Sequence, residues 1–213
     1  MLPLVLVSAS PQRRAILAQL GVEFEVLEPN VDELAAGEPS AVVVENALRK
    51  ARGVRSETAA GRLLLGVDTT VVLDGRIYGK PRNSADARAS LEALAGRWHE
   101  VWSGLALVRE RAKPLTAVAM TRVHFRALAP ADLDWYLASG EWRGRAGGYA
   151  IQGRGAALIE RIEGDYSNVV GLPVAALAAE CNERSLRPVS MPDRGRRGPP
   201  PGCHGPHASG VDA

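Results

Sequence analysis

Cysteine and aromatic residues are scarce in this chain of 213 residues, and each scarcity excludes a class of protein. The two cysteines are Cys181, within a helical pattern, and Cys203 near the C-terminus, so a disulfide framework and a Cys-x-x-Cys metal site are both excluded. This usage is typical of a reducing compartment, and we expect a cytoplasmic location. The four histidines have no metal-ligand spacing, and the four tryptophans favour core or interface positions over a base-stacking platform.

The chain also has little excess charge of either sign. Its formal net charge is +2, and the segment from Arg187 onward contains four arginines and two aspartates, which leaves 22 charges of each sign in residues 1–186. Binding to DNA or RNA normally requires a broad basic face that neutralises phosphates. We therefore expect no nucleic-acid polymer as partner, whereas small anionic ligands need only a local cluster of cations.

Long hydrophobic runs are absent as well. The apolar stretch at residues 2–7 is too short to cross a membrane, and its cations follow the run instead of preceding it. We interpret this stretch as a buried strand and expect no membrane partner.

Hydrophobic periodicity and turn residues predict an alternation of strands and helices that is not strictly βαβ. The predicted strands are residues 2–7, 22–27, a pair around the turn Asp74-Gly75, 99–108, 116–128 and 156–162; the predicted helices are about 11–20, 40–55, 84–95, 130–138 and 174–184. This order favours an α/β fold with a mixed sheet. Residues 1–186 are predicted to form one domain. Residues 187–213, with six prolines and five glycines, are predicted to form a disordered tail.

One carboxylate, Asp68, lies inside an apolar run, LLLGVDTTVVLDGRIYGKP at residues 63–81. A buried charge is costly unless it is paired, hydrogen-bonded or bound to a metal. The turn at Asp74-Gly75 would bring Lys80 back towards this acid, an arrangement suited to phosphate chemistry with a divalent cation. A core carboxylate satisfied by backbone donors is the alternative. Gly79-Lys80 is not a P-loop, because Pro81 stands where a metal-binding Ser or Thr is required.

Three further segments carry candidate ligand-binding residues. Ser8-Ala9-Ser10-Pro11-Gln12-Arg13-Arg14 places a helix start and two arginines after a strand, which predicts an anion site or, alternatively, a capped helix with solvated arginines. Asn46 and Lys50 are four apart and share a helix face. In the glycine-rich segment 147–155, the amide of Gln152 is suited to reading a base edge.

Taken together and in this order, these motifs resemble the Maf family of nucleoside triphosphate pyrophosphatases. The matching segments are SASPQRR at 8–14, VDE at 31–33, ENALRKA at 45–51, GVDTTVVLDGRIYGKP at 66–81, LAGRWHEVWSG at 94–104, AGGYAIQGRGA at 146–156 and GDYSNVVGLP at 164–173. The resemblance covers roughly residues 4–185, and the tail lies outside it.

The resemblance implies a fold and a reaction. The fold would be like that of inosine-triphosphate pyrophosphatases, an elongated mixed β-sheet flanked by helices with two lobes around a cleft, in a cytoplasmic homodimer. The reaction would be hydrolysis of a nucleoside triphosphate to the monophosphate and diphosphate, with a divalent cation, Mg²⁺ or Mn²⁺. Two alternatives stay open: a 7-methyl-GTP-type pyrophosphatase, and a non-catalytic nucleotide-sensing regulator of cell division.

The resemblance also implies roles for individual residues. Asp68 would accept the proton of the attacking water and, with Glu33, hold the metal. The residues that would bind the triphosphate are Ser8, Ser10, Arg13, Lys50 and Lys80. Thr69 and Gln152 match the branch that prefers dTTP and UTP, since the 7-methyl-GTP branch typically has Gln and Glu there. Gln12 departs from both branches, which have Arg and Trp respectively at this position.

Overall fold

The computed structural model describes residues 3–54 and 59–183. The strands are β1 (Leu4–Val7), β2 (Phe24–Leu27), β3 (Leu63–Leu73), β4 (Arg76–Tyr78), β5 (Trp98–Val108), β6 (Leu115–Phe125) and β7 (Ile159–Glu163). The α-helices are α1 (Pro11–Gln19), α2 (Pro39–Arg52), α3 (Ser84–Leu94), α4 (Pro130–Ala138), α5 (Tyr166–Val170) and α6 (Val174–Glu183). The domain boundary at residue 186 and the tail 187–213 lie outside the described residues and stay predictions.

All seven strands form one mixed sheet in the order β2-β1-β3-β5-β6-β7, with β4 paired to β3. β1 is parallel to both of its neighbours, and every other pair is antiparallel. The hairpin β3–β4 turns at Asp74 and Gly75, both at positive φ, as the Asp-Gly pair predicts. The predicted α/β fold with a mixed sheet flanked by helices is confirmed.

Three predicted strand boundaries are wrong. β2 begins at Phe24, because the N–H of Val22 is still bound to the carbonyl of Leu17 at the end of α1. β6 ends at Phe125 and not at residue 128. Residues 153–158 form a 3₁₀ helix, and β7 starts only after it. The carboxylate of Glu141 accepts the backbone N–H groups of residues 154 and 155, which replaces a strand partner.

The buried core contains two main apolar clusters. One joins the far end of β3 to α3 and α4, and its fully buried members include Phe125, Tyr136 and Leu91. The other joins β1, α1 and α6 and includes Leu6, Leu17 and Leu172. Among the described residues, every helix is too short or too polar to cross a membrane.

Candidate active site

A cavity of about 380 Å³ opens where β1, β3 and α1 meet the segments that follow β4 and α4. Nine of the ten site residues predicted from the sequence line it: Ser8, Ser10, Gln12, Arg13, Glu33, Lys50, Asp68, Thr69 and Lys80. Gln152 is the exception, since it is exposed and does not line the cavity. The fold therefore gathers residues that lie up to 72 positions apart in the sequence around one space.

Asp68 lies in the middle of β3 and is only 6% exposed. One carboxylate oxygen accepts a bond from Lys50 Nζ at 2.6 Å, and the other accepts from Asn46 Nδ2 at 3.0 Å. Lys50 Nζ also lies 3.0 Å from a carboxylate oxygen of Glu33. The buried charge is thus paired by side chains and not by backbone donors, the alternative considered from the sequence.

Close packing of α2 on the sheet brings these groups together. A Cβ atom on Gly66 would lie 2.0 Å from the carbonyl oxygen of Ala47, and one on Gly104 would lie 2.4 Å from that of Val43. The two glycines therefore allow the helix backbone to contact β3 and β5 directly. Because Asn46 and Lys50 are on the face that meets the sheet, both reach Asp68.

Asn46 has a second function that its helical spacing did not indicate. Its Oδ1 accepts the N–H of Leu34 at 2.7 Å, and its Nδ2 donates to the carbonyl of Leu34 at 3.0 Å. This pair of bonds attaches the loop before α2 to the helix. The neighbouring Glu33 is consequently held beside Lys50.

Arg13 is buried and its guanidinium is bound on three sides. Nε donates to the carbonyl of Gly171 at 2.8 Å, Nη1 to Ser8 Oγ at 2.9 Å and Nη2 to Thr69 Oγ1 at 3.1 Å. Burial lowers the pKa of Arg13, and the charges of the two cavity carboxylates oppose this shift. Thr69 Oγ1 is also 2.8 Å from Ser103 Oγ, so it is part of the network that fixes Arg13.

The start of α1 forms the adjacent wall of the cavity. Ser10 is the N-cap, and its hydroxyl accepts the N–H of Arg13 and donates to the side-chain oxygen of Gln12 at 3.2 Å. The N–H of Ser10 is bound in turn to Ser8 Oγ. A helix N-terminus is electropositive, which favours an anion in this position.

Sequence reasoning missed Arg143, Arg145 and Tyr149, which also line the cavity. Tyr149 is buried, and its hydroxyl is 2.8 Å from Nε2 of His99. Burial raises the pKa of Tyr149 and lowers that of His99 to about 4, so both are neutral at physiological pH. The two arginines had a weak signal, an Arg-Gly-Arg sequence immediately before the glycine-rich segment.

The cavity lining is strongly cationic. It contains two carboxylates, Glu33 and Asp68, and five cationic side chains, Arg13, Lys50, Lys80, Arg143 and Arg145. Electrostatic attraction in a concave, partly buried site favours ligands with several negative charges.

The glycines around Gln152 serve the local fold. Gly153 is at φ 66, and a Cβ there would lie 2.7 Å from the carboxylate of Glu141; on Gly155 it would lie 1.9 Å from the carbonyl oxygen of Ala150. Both close approaches are to protein atoms. The glycine pattern, interpreted from the sequence as a ligand contact, therefore has a packing explanation.

The donor set is compatible with a divalent cation that also binds substrate. Glu33 and Asp68 contact the same ammonium group, so their oxygens lie close together. In the part of the chain that the structure describes, no cluster of three or more His, Cys, Asp or Glu side chains could hold a metal ion. Mg²⁺ is commonly bound by one or two carboxylates together with water and phosphate oxygens, which fits this pair.

Comparison with known proteins identifies the family. The family model described as Maf-like protein matches residues 3–184. The chain belongs to the Maf family. The resemblance seen in the sequence is therefore confirmed.

Three curated relatives of this Maf protein share one functional name. A Gloeobacter violaceus protein named dTTP/UTP pyrophosphatase is 51% identical over 82% of this chain and 92% of its own length. Proteins with the same name from Dictyoglomus thermophilum (43% identity; 84% and 94% covered) and an Anaeromyxobacter species (47%; 87% and 91%) are also similar.

Among solved structures, a HAM1 protein from Coxiella burnetii aligns with a TM-score of 0.44 at 21% identity, covering 59% of this chain and 73% of the other. A dITP/XTP pyrophosphatase from Mycobacterium abscessus aligns with a TM-score of 0.42 at 17% identity, covering 87% and 96%.

Proposed function

We propose that this Maf-family protein is a nucleoside triphosphate pyrophosphatase that acts on dTTP and UTP or on modified pyrimidine nucleotides. The observation that carries the proposal is a carboxylate, Asp68, fixed by two side chains at the wall of a cavity with five cationic residues. The names of the relatives support the same activity and the same bases.

The charge distribution suits attack of water on the α-phosphorus. A triphosphate has about four negative charges, which repel a nucleophile until cations offset them. Arg13, Lys50 and Lys80 bind the phosphates, and the hydroxyls of Ser8 and Ser10 complete the cradle. These contacts orient diphosphate as the leaving group.

Asp68 is the proton acceptor for the water. Its bonds from Lys50 and Asn46 fix the orientation of the carboxylate before substrate arrives. Asp68 and Glu33 would hold a divalent cation, Mg²⁺ or Mn²⁺, which would supply Lewis-acid polarisation of the water. The cytoplasmic location, the homodimer and the absence of polymer or membrane partners stay predictions.

Fewer contacts support the predicted base preference than support the binding of the phosphates. Thr69 lines the cavity beside Arg13, whereas Gln152 is outside the lining. Gln12 lines the cavity and its side chain is bound to the N-cap hydroxyl of α1. We therefore assign the distinction between dTTP/UTP and 7-methyl-GTP to Gln12 and Thr69 first.

The test is release of diphosphate from dTTP, UTP and 7-methyl-GTP with Mg²⁺ or Mn²⁺. Asp68→Asn keeps the size of the side chain and its bond from Lys50 but removes the base, so we expect kcat to fall by about 10²- to 10⁴-fold. The matched control is Asp74→Asn at the hairpin turn, outside the cavity, which should leave kcat unchanged. No turnover of any nucleotide by the wild-type protein would favour the non-catalytic sensor.

A further inference from the structure

A short turn that the proposed mechanism does not use contributes a second cationic side chain, Arg145, to the cavity that Lys80 lines. In the turn 145–148, the N–H of Gly147 donates to the carbonyl of Gly79 at 3.0 Å, directly before Lys80. Gly147 is at φ 66, and a Cβ there would lie 2.9 Å from a methyl group of Val71. The turn is thus packed against β3 and tied to the segment of Lys80, and Arg145 at its start lines the cavity.

Arg145 differs from the other arginines that line the cavity. Its Nε is buried and has no hydrogen-bond partner within residues 3–54 and 59–183. Arg13, by contrast, makes three side-chain bonds, and the guanidinium of Arg143 lies 4.7 Å from the ring centre of Trp142. A buried donor of a charged group that lacks a partner is costly. Arg145 lines the cavity, where a bound anion can offset the charge of its guanidinium.

Within the described residues, no carboxylate forms an ion pair with Arg145. Burial lowers the pKa of Arg145, and the charge of Glu141 opposes the shift. The carboxylate of Glu141 is used elsewhere, because its two oxygens accept the backbone N–H groups of Arg154 and Gly155. Both carboxylates in the cavity contact Lys50. A phosphate of the ligand can therefore pair with Arg145.

We propose that Arg145 binds the phosphate chain of the nucleotide, together with Lys80. This inference rests on the proposed function and adds a phosphate ligand from the segment between α4 and β7. A guanidinium can donate two parallel bonds to phosphate oxygens, whereas an ammonium acts as a point charge. Arg145 would thus fix the orientation of the chain as well as offset its charge.

The experiment compares Arg145→Gln and Arg145→Lys with wild type. The matched control is Arg154→Gln, an exposed arginine outside the cavity lining. For UTP hydrolysis we expect Arg145→Gln to raise KM by about 10- to 100-fold, the loss typical of a hydrogen bond to a charged group. Arg145→Lys should be intermediate, and Arg154→Gln should match wild type.

A binding arm separates this inference from the activity itself. Calorimetry measures the affinity for inorganic diphosphate and for uridine, neither of which is turned over. In Arg145→Gln the affinity for diphosphate should fall by about 10-fold or more, and the affinity for uridine should not change. Three results would each overturn the assignment. They are an unchanged KM together with an unchanged diphosphate affinity, equal losses of affinity for diphosphate and uridine, and no diphosphate binding by the wild-type protein. If wild type binds diphosphate but turns over no nucleotide, the proposed function fails while the phosphate site stands. Equal unfolding midpoints for the variants exclude a folding defect.

Discussion

A single added methyl group at Gly66 tests whether the contact between α2 and the sheet builds the site. The new Cβ would lie 2.0 Å from the carbonyl oxygen of Ala47 and 3.0 Å from the amide nitrogen of Ala51. Ordinary contacts begin at 3.4 Å, so the helix must move away from β3 by more than 1 Å at this point. Both obstructing atoms belong to the backbone, and a change of side-chain rotamer therefore gives no relief.

The displacement has two expected consequences for Gly66→Ala. Overpacking of a close contact typically lowers the free energy of unfolding by about 1–3 kcal/mol. The same movement separates Lys50 and Asn46 from Asp68, whose contacts are 2.6 and 3.0 Å. Since a misplacement of about 1 Å can reduce a rate 10²-fold, we expect a loss of that order in kcat/KM for UTP.

Urea unfolding and diphosphate release measure the two effects. Gly79→Ala is the control for stability, because a Cβ at Gly79 meets no atom within 4 Å and the free energy of unfolding should change by less than about 0.5 kcal/mol. If Gly66→Ala retains both the unfolding midpoint and the kcat/KM of wild type, the helix does not depend on this contact and the reasoning is refuted.

Two further substitutions test the buried polar groups. Lys50→Met leaves Asp68 buried without its cation and should lower the free energy of unfolding in urea by about 3–5 kcal/mol. Adding Asp68→Asn should recover part of this loss. Additive effects of the two substitutions would contradict the pairing. Burial holds the pKa of His99 near 4 against 6.5 in the unfolded chain, so its contribution is complete above pH 6.5 and is lost as pH falls towards 4. The wild-type protein should therefore lose about 3 kcal/mol more than His99→Asn over that range, and parallel stability curves would show that His99 does not titrate in this way.

Local signals in the sequence accounted for most elements of the fold. The N-cap Ser10 with Pro11 predicted the start of α1, and Asp74-Gly75 predicted the hairpin. The error at residues 153–158 has a tertiary cause, since Glu141 from a distant segment supplies the hydrogen bonds there. Sequence periodicity contains no information on such a partner.

The sequence predicted the part of the candidate site in which a charged residue lies in an apolar segment. Asp68 stood out because a charge in an apolar strand requires a partner, and Lys50 is that partner. Gly66 had no such signal, because its function depends on which helix crosses the strand. Arg145 was missed for the same reason: an arginine near glycines becomes informative only when the fold leaves its Nε buried without a partner.

The position of Lys50 gives it a different role from the other cations of the cavity. Its ammonium group contacts both Asp68 and Glu33, and its charge is therefore already engaged before a nucleotide binds. Without it, the two carboxylates would repel the triphosphate. Lys50 thus offsets the charge of the two carboxylates in addition to its contact with the phosphates. Most of the net attraction for the phosphates is expected from the cations that do not contact a carboxylate, Lys80 and Arg145 among them.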